Sequence, residues 1–151
     1  MAVEIQEAAR WMLPQLERLE EECFSVPWTP EQLLSEFPDE SHLFLTAVEG
    51  ERVLGYVGMM HVLDEGYISN VAVAPAYRRR GLGDRLIGEL LERAKALRLA
   101  FVTLEVRESN APAIALYLKH GFSPVGVRRN YYEKPKENAV LMTIFLESNK
   151  Q

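Results

Sequence analysis

Residues 70–83 read Asn-Val-Ala-Val-Ala-Pro-Ala-Tyr-Arg-Arg-Arg-Gly-Leu-Gly, an apolar segment followed by a basic turn with two glycines. The apolar segment, taken from Tyr67 to Ala74, predicts a β-strand that ends at Pro75. After the turn, apolar residues recur at a spacing of four and predict an amphipathic helix through Leu82, Leu86, Leu90, Ile87, Leu91 and Ala94. The centre of the chain is therefore a strand, a glycine turn and a helix.

The turn at residues 78–83 suits a bound anion. The first turn of a helix has four backbone N–H groups without a helical partner and carries partial positive charge. Glycine lets the backbone approach an anion closely, and arginines add charge-assisted hydrogen bonds. We interpret the turn as a diphosphate site, with an ordinary turn beside solvated arginines as the alternative. It has neither the lysine of a P-loop nor the third glycine of a dinucleotide loop, where Leu86 stands.

Outward from this centre, the pattern alternates between strands and helices. Residues 4–23 carry apolar residues at roughly helical spacing, with Pro14 as a break or kink, and a capping box begins at Thr29. Asn110 caps a further helix that ends at Gly121. The remaining apolar runs predict strands at residues 43–48, 53–62, 101–106, 122–128 and 139–146. This order predicts an α/β fold with a mixed sheet.

The composition is that of a globular protein, with 48% hydrophobic and 26% charged residues in 151, which fits one domain over residues 1–151. The net charge of -5 disfavours nucleic acid and favours basic partners. Cys23 is the one cysteine, which suits a reducing cytosol, and its spacing from Leu16 and Leu19 predicts packing. We expect a cytoplasmic protein that binds neither nucleic acid nor membrane. The sequence carries no signal for an oligomeric state.

The central motif resembles the acetyl-CoA signature of the GCN5-related N-acetyltransferases (GNATs), Arg/Gln-x-x-Gly-x-Gly/Ala. It follows Asn70 to Pro75, which resembles the fourth strand of that family. Further segments are similar to the GNAT members that acetylate the N-terminal alanine of a small-subunit ribosomal protein: residues 26–28, 63–65, 104–110, 113–117, 121–122 and 128–132. The departures are small: Arg78 stands where glutamine is also common, and Pro112 where a small residue is also usual.

The resemblance implies a GNAT-type mixed, mostly antiparallel sheet, flanked by helices, whose fourth and fifth strands splay apart. The pantetheine arm of acetyl-CoA would lie in that gap. The implied acetyl-CoA contacts are the backbone of Val71, Ala72 and Val73 for the arm, Arg79, Arg80, Gly81, Leu82, Gly83 and Asp84 for the pyrophosphate, and Asn110 near the second splayed strand. Val71 and Val73 can pack their side chains in the core and still offer their backbone to the pantetheine arm.

The resemblance also implies the catalytic groups, with Glu105 as general base and Tyr117 as general acid. From the residues alone, a solvated strand position for Glu105 is as open as a base, and half-buried packing is favoured for Tyr117. A backbone N–H of the fourth strand, that of Val71, would polarise the thioester carbonyl. We expect direct attack by the amine, without a covalent acyl-enzyme. We also expect no metal, because the scattered residues His42, His61 and His120 fit no metal site.

The substrate predicted from the resemblance is a protein N-terminal amine, with a preference for alanine followed by a basic residue. The candidate substrate-binding residues are Trp28, Asp64 and Glu65 in an acidic turn that runs to Gly66, and Tyr131. The tyrosines of residues 131–132 could instead anchor the last hairpin. Two other functions stay open: acetylation of a small-molecule amine, and a non-catalytic sensor domain that binds acetyl-CoA.

Overall fold

The computed structural model describes residues 2–146, which form one seven-stranded mixed sheet with helices on both faces. The sheet order is β1-β2-β3-β4-β5-β7-β6. The strands are β1 (Val3–Glu7), β2 (His42–Glu49), β3 (Arg52–Val62), β4 (Glu65–Val73), β5 (Phe101–Arg107), β6 (Ser123–Tyr132) and β7 (Glu137–Phe145). The helices are α1 (Leu13–Cys23), α2 (Pro30–Ser35), α3 (Leu82–Ala96) and α4 (Ala111–Lys119). The predicted fold class is confirmed.

The two central strands separate along their length. β4 and β5 run parallel and pair only from Glu65 to Tyr67 of β4, opposite Phe101 to Thr103 of β5. Every other neighbouring pair in the sheet is antiparallel. Beyond Tyr67 the edge of β4 that faces β5 has no strand partner among the described residues, so a V-shaped gap opens in the middle of the sheet.

The sheet separates two apolar clusters. One cluster packs the inner face of α3 against the sheet, including Leu104 and Val106 of β5 and the aromatic pair Tyr117 and Phe122. The other packs α1 and α2 against the opposite face and includes Ala72 of β4. Because successive strand residues point to opposite faces, Glu105 points to the α1–α2 face.

The N-terminal prediction was wrong in two respects. Residues 3–7 form an edge strand paired with β2, because the alternating Val3 and Ile5 bury one side against the α3 cluster. The helix begins only at Leu13, so Pro14 lies in its first turn, where a missing N–H costs nothing. Pro14 therefore starts α1 and does not kink it.

Most local signals are confirmed. Thr29 and Gln32 form the capping box of α2, Asn110 Oδ1 accepts from the Ala113 N–H at 3.3 Å, and Gly121 has φ of 100° just after α4. The predicted turn at residues 64–66 was displaced, since Leu63 and Asp64 form the turn and Glu65 already belongs to β4. Among residues 2–146, no helix is long and apolar enough to cross a membrane.

Candidate active site

A cleft of about 1110 Å³ occupies the gap between β4 and β5. One wall is the loop between α1 and α2, from Phe24 to Trp28, and the opposite wall is the end of β6, from Tyr131 to Lys134. α4 closes one side with Leu116 and Tyr117. Of the predicted site residues, the cleft brings together Val71, Glu105, Asn110, Tyr117, Trp28 and Tyr131.

The backbone of β4 offers alternate groups to the gap. The Ala74 N–H donates to Leu54 O of β3 at 2.8 Å, so the alternation of a strand turns Ala72 towards β3 and Val71 and Val73 towards the gap. Ala72 was therefore wrongly predicted as a backbone contact, and its side chain is buried in the α1 cluster. Val73 O already accepts from Arg78 Nε at 3.0 Å, which leaves Val71 as the residue best placed to pair with a ligand.

The glycine turn ends at an uncapped helix start. Gly81 is the N-cap of α3, has φ of 77° and makes no side-chain cap, and a Cβ atom there would meet nothing within 4 Å. The N–H groups of the first turn, including that of Leu82, are the ones that a helix leaves without a backbone partner. Leu82 buries its side chain in the core and contributes only backbone. This geometry fits an anion next to Gly81.

The arginines around the turn differ in what they touch. Arg78 is held by Val73 O and by Cys23 Sγ, the latter at 3.4 Å from Nη2. Arg80 lies over the ring of Tyr77, with its guanidinium carbon 5.1 Å from the ring centroid. Arg79 is exposed and has φ of 66°, which fixes the sharp turn ahead of Gly81. Arg79 and Arg80 therefore surround the helix start with positive charge.

Two residues of the predicted phosphate turn, Gly83 and Asp84, also join α3 to α4. A Cβ atom at Gly83 would lie 3.1 Å from Leu116 Cδ2, so this glycine allows the two helices to approach. The Asp84 carboxylate accepts from Lys119 Nζ at 2.9 Å and bonds to His120 Nε2 at 3.0 Å. The hydrogen bond from Lys119 is the main cause that lowers the Asp84 pKa. The side chain of Asp84 thus fastens the end of α4 to α3, and only its backbone N–H is left for the anion.

Tyr117 is the buried phenol of the cleft. It is 6% exposed, and its ring packs edge-on against Phe122 at a centroid distance of 5.6 Å. Burial is the main cause that raises the pKa of Tyr117 well above its usual value, with a smaller contribution from Tyr132. The phenol therefore keeps its proton throughout the neutral range.

Glu105 is the carboxylate of the cleft, with a half-buried side chain. Arg128 of β6 donates from Nε to Glu105 Oε2, and its guanidinium lies 5.8 Å from the ring centroid of Tyr131. Burial, and next the hydrogen bond with Glu105, raise the pKa of Tyr131. Glu105 is thus held between a cation and a phenol on the α1–α2 face.

Tyr132 and Arg107 complete this side of the cleft. Arg107 lies over the Tyr132 ring at 4.4 Å, pairs with Glu137 at 3.2 Å and donates to the carbonyls of Glu133 and Pro135. Burial is the main cause that raises the pKa of Tyr132 to about 12, and the Glu105 charge adds to it. Arg107 therefore fixes the β6–β7 connection over the gap.

The opposite wall is fixed by a buried carboxylate, Glu20 of α1, which is 1% exposed. The Trp28 N–H donates to Glu20 Oε1 at 2.6 Å, while Asn70 Nδ2, at 3.1 Å, and the Tyr56 hydroxyl donate to Oε2. Burial is the main cause that raises the Glu20 pKa, and the Trp28 hydrogen bond opposes it. Glu20 thus connects the wall at Trp28 to β3 and β4.

The acidic turn does not reach the cleft, contrary to the predicted groove. Asp64 O accepts from the Ala100 N–H at 2.6 Å, and Glu65 pairs with Phe101 where β4 and β5 are still joined. The Glu65 carboxylate accepts from the Tyr67 hydroxyl. The turn lies at the closed end of the V because Leu63 and Asp64 connect β3 to the paired start of β4.

The described residues, 2–146, contain no group of three or more His, Cys, Asp or Glu side chains that could hold a metal ion. His42 bonds to Asp39 at 2.9 Å, and His120 bonds to Asp84. Cys23 is half-buried, packs against the α1 cluster and lies within 3.6 Å of Val73 O.

The residues that sequence reasoning missed are Glu20, Asn70 and Arg107. Glu20 lies four residues after Leu16, so the apolar face of α1 already carried the signal for a buried carboxylate. Arg107 shares a strand face with Glu105 at a spacing of two. Asn70 had no local signal, because its partner Glu20 is 50 residues away.

Comparison with known proteins places the chain in one family. The profile of the acetyltransferase (GNAT) family matches residues 13–122. The [Ribosomal protein bS18]-alanine N-acetyltransferase of Haemophilus influenzae is 38% identical over 134 residues, 87% of this chain and 90% of the relative.

Two solved structures share the architecture. The crystal structure of the ribosomal-protein-S18-alanine N-acetyltransferase from Escherichia coli has a TM-score of 0.92 and 31% identity, covering 99% of this chain and 97% of the other. Arabidopsis thaliana NAA60 in complex with acetyl-CoA shares the fold at a TM-score of 0.89 and 21% identity, over 96% and 100% of the two chains. The resemblance predicted from the sequence, to the GNATs and within them to the members that acetylate the N-terminal alanine of a small-subunit ribosomal protein, is confirmed. The chain belongs to the acetyltransferase (GNAT) family, whose members use acetyl-CoA.

Proposed function

We propose that the chain transfers the acetyl group of acetyl-CoA to a protein N-terminal α-amine, with the alanine of ribosomal protein bS18 as its substrate. The observation that carries the proposal is a single cleft that holds Glu105 and Tyr117 beside the unpaired edge of β4. The names of the Haemophilus influenzae and Escherichia coli relatives support the choice of substrate.

The chain fits acetyl-CoA at two points. Val71 turns its C=O and Val73 its N–H into the gap, where they can pair with the pantetheine amides as a neighbouring strand would. The uncapped start of α3 at Gly81, between Arg79 and Arg80, suits the pyrophosphate. Acetyl-CoA supplies the activated thioester, and the Val71 N–H polarises its carbonyl. Asn110, at the start of α4, borders the same cleft.

Glu105 receives the proton that the substrate amine must lose. An N-terminal α-amine has a pKa of about 7.7–8.0, so much of it is protonated at neutral pH. A carboxylate that points to the α1–α2 face, held by Arg128, can accept that proton directly or through one water. The neutral amine then attacks the carbonyl.

Tyr117 supplies the proton for the departing thiolate. Its raised pKa keeps the phenol protonated and ready to donate. A raised pKa also makes a weaker acid, but a thiolate formed in the same apolar surroundings is a stronger base for the same reason. Burial thus raises the pKa of both the Tyr117 phenol, which gives the proton, and the thiol that forms when the thiolate accepts it.

The cleft walls suit an extended peptide with a basic residue near its N-terminus. Trp28 and Tyr131 both line the cleft, and the lining also carries the carboxylates of Glu36 and Glu133. We assign to Glu36 and Glu133 the attraction of a basic substrate residue, which the sequence analysis had assigned to Asp64 and Glu65. A lysine amine, with a pKa of about 10.4, has far less neutral form at pH 7 than an α-amine.

The test is acetyl transfer to matched peptides, followed by intact mass. One peptide has an open N-terminal alanine followed by arginine, a second replaces the arginine by glutamate, and a third has a blocked N-terminus and one lysine. We expect the first to react fastest and the third slowest. Equal rates for the first and third would contradict N-terminal transfer. Binding of acetyl-CoA without transfer to any peptide would support the sensor function instead.

A further inference from the structure

The buried carboxylate of Glu20 determines how the Asn70 side chain is oriented. Three donors converge on Glu20: the Trp28 N–H, the Tyr56 hydroxyl and Asn70 Nδ2. Asn70 Nδ2 donates to Glu20 Oε2 at 3.1 Å, so the amide nitrogen of Asn70 is the atom that faces the carboxyl group. Asn70 Nδ2 also lies 3.4 Å from the Tyr56 hydroxyl.

This orientation leaves the amide oxygen of Asn70 on the side away from Glu20. Asn70 is half-buried and lines the cleft, so its amide oxygen is free to face the cleft. Asn70 follows a bulge at Ser69, where the pairing of β3 with β4 shifts between Gly58 and Met59. The bulge aims Asn70 at the same face as Ala72, two residues on, which packs in the α1 cluster.

Asn70 and Glu105 therefore lie on the same face of the sheet, on the two strands that border the gap. Glu105 faces α1 and α2 because its neighbours Leu104 and Val106 pack on the α3 side. Both side chains line the one cleft. Between them lies the backbone of Val71, which turns towards the gap.

We propose that Asn70 binds the acceptor amine, with its amide oxygen accepting one N–H of the substrate N-terminus, and that Glu20 is the positioning residue that holds this oxygen towards the cleft. The inference rests on the proposed function, since it assigns a residue to the amine of that substrate. It adds Asn70 and Glu20 to a site otherwise described by Glu105 and Tyr117.

The chemistry of a primary amine suits two acceptors on one face. Once one proton has moved to Glu105, the neutral amine keeps two N–H groups and one lone pair. Asn70 Oδ1 and Glu105 can accept one N–H each, and the lone pair then points to the carbonyl polarised by Val71. Asn70 contacts the amine before and during transfer, so its loss raises KM more than it lowers kcat.

The experiment is a double-mutant cycle with the alanine-arginine peptide and acetyl-CoA. The single variants are Asn70→Ala and Glu20→Gln, and the cycle closes with the double variant. The amide that Glu20→Gln introduces can donate to Asn70 Oδ1 and turn the Asn70 amide nitrogen into the cleft, although Asn70 itself is unchanged. Glu21→Gln is the matched control, because Glu21 is the adjacent, exposed residue of α1.

We expect Asn70→Ala and Glu20→Gln each to raise the peptide KM about tenfold, the scale of one hydrogen bond to a charged group, with the acetyl-CoA Kd unchanged. The double variant should match Asn70→Ala alone, and Glu21→Gln should match the wild type. Asn70→Ser, which stays polar but lacks the amide oxygen, is the second variant if the alanine variant does not fold.

Two results would overturn the inference. An unchanged peptide KM in Asn70→Ala or Asn70→Ser would show that the amine does not contact Asn70. Effects of Glu20→Gln and Asn70→Ala that multiply in the double variant would show that Glu20 does not act through Asn70. Either result with an active wild type leaves the proposed function intact, whereas a wild type that acetylates no peptide would overturn both.

Discussion

Arg128 donates a hydrogen bond to Glu105 across strand β7, so the proposed base of the reaction is held in an ion pair. The Arg128 side chain is 55% exposed and that of Glu105 is 27% exposed, so the pair is partly open to solvent. Water screens such a pair, so its role is orientation of the carboxylate rather than a large gain in stability.

Replacing Glu105 should separate proton acceptance from orientation. We expect Glu105→Gln to lower kcat/KM about 10²-fold, the usual scale for a positioned base. The loss should be largest below pH 7, where most of the substrate amine is protonated. Arg128→Gln, which keeps the carboxylate, should cost less at every pH. A pH series of initial rates measures both, and equal losses in the two variants would contradict this assignment.

Replacing Tyr117 should remove the proton donor with little change in packing. Tyr117→Phe keeps the ring against Phe122, so we expect an unchanged acetyl-CoA Kd and kcat lowered about 10²-fold. Burial raises the Tyr117 pKa above 10, the ordinary pKa of a tyrosine. The kcat of the wild type should therefore show no loss from ionisation of this phenol between pH 7 and pH 10. Wild-type turnover in the Phe variant would remove Tyr117 from the mechanism.

The two glycines of the turn should respond differently to substitution. Gly81 has φ of 77° and open space around it, so Gly81→Val should weaken acetyl-CoA binding, while Gly81→Asn, which tolerates this conformation, serves as the control. Gly83→Val should instead push Leu116 and lower the thermal midpoint by separating α3 from α4. Calorimetric titration and thermal unfolding measure the two effects. Full acetyl-CoA affinity in Gly81→Val would show that this turn binds no phosphate.

The Asp84 contacts should give a stability difference that depends on pH. The Asp84 pKa is below its unfolded value of 3.8, so its contribution is complete above that pH and is lost as the pH falls through the lower, folded value. We expect Asp84→Asn to melt below the wild type at pH 7 and the difference to shrink as the pH falls below 3.8. A difference that stays constant down to about pH 2 would show that the charge of Asp84 is not involved.

The elements that the sequence predicted well depend on nearby residues. The capping box at Thr29 joins residues three apart, and Gly81 and Gly121 adopt positive φ because each ends or begins a helix. The resemblance then supplied Glu105 and Tyr117, whose strand and helix positions alone were open to other interpretations. Local patterns and a family motif thus predicted the centre of the site.

What the sequence did not predict depends on long-range pairing. The acidic turn at Asp64 looked like a groove residue, but pairing of Glu65 with Phe101 puts it at the closed end of the gap. Ala72 was predicted with its neighbours, although strand alternation turns it to β3. The Glu20–Asn70 contact spans 50 residues, so no window of the sequence contains it.

The proposed activity is tested by incubating the full chain with acetyl-CoA and ribosomal protein bS18 that begins with an unmodified alanine. Peptide fragmentation by mass spectrometry then locates the acetyl group. We expect one acetyl group on the α-amine of that alanine, and none when Glu105→Gln and Tyr117→Phe are combined. An unmodified α-amine, or acetylation confined to lysine side chains, would contradict the account.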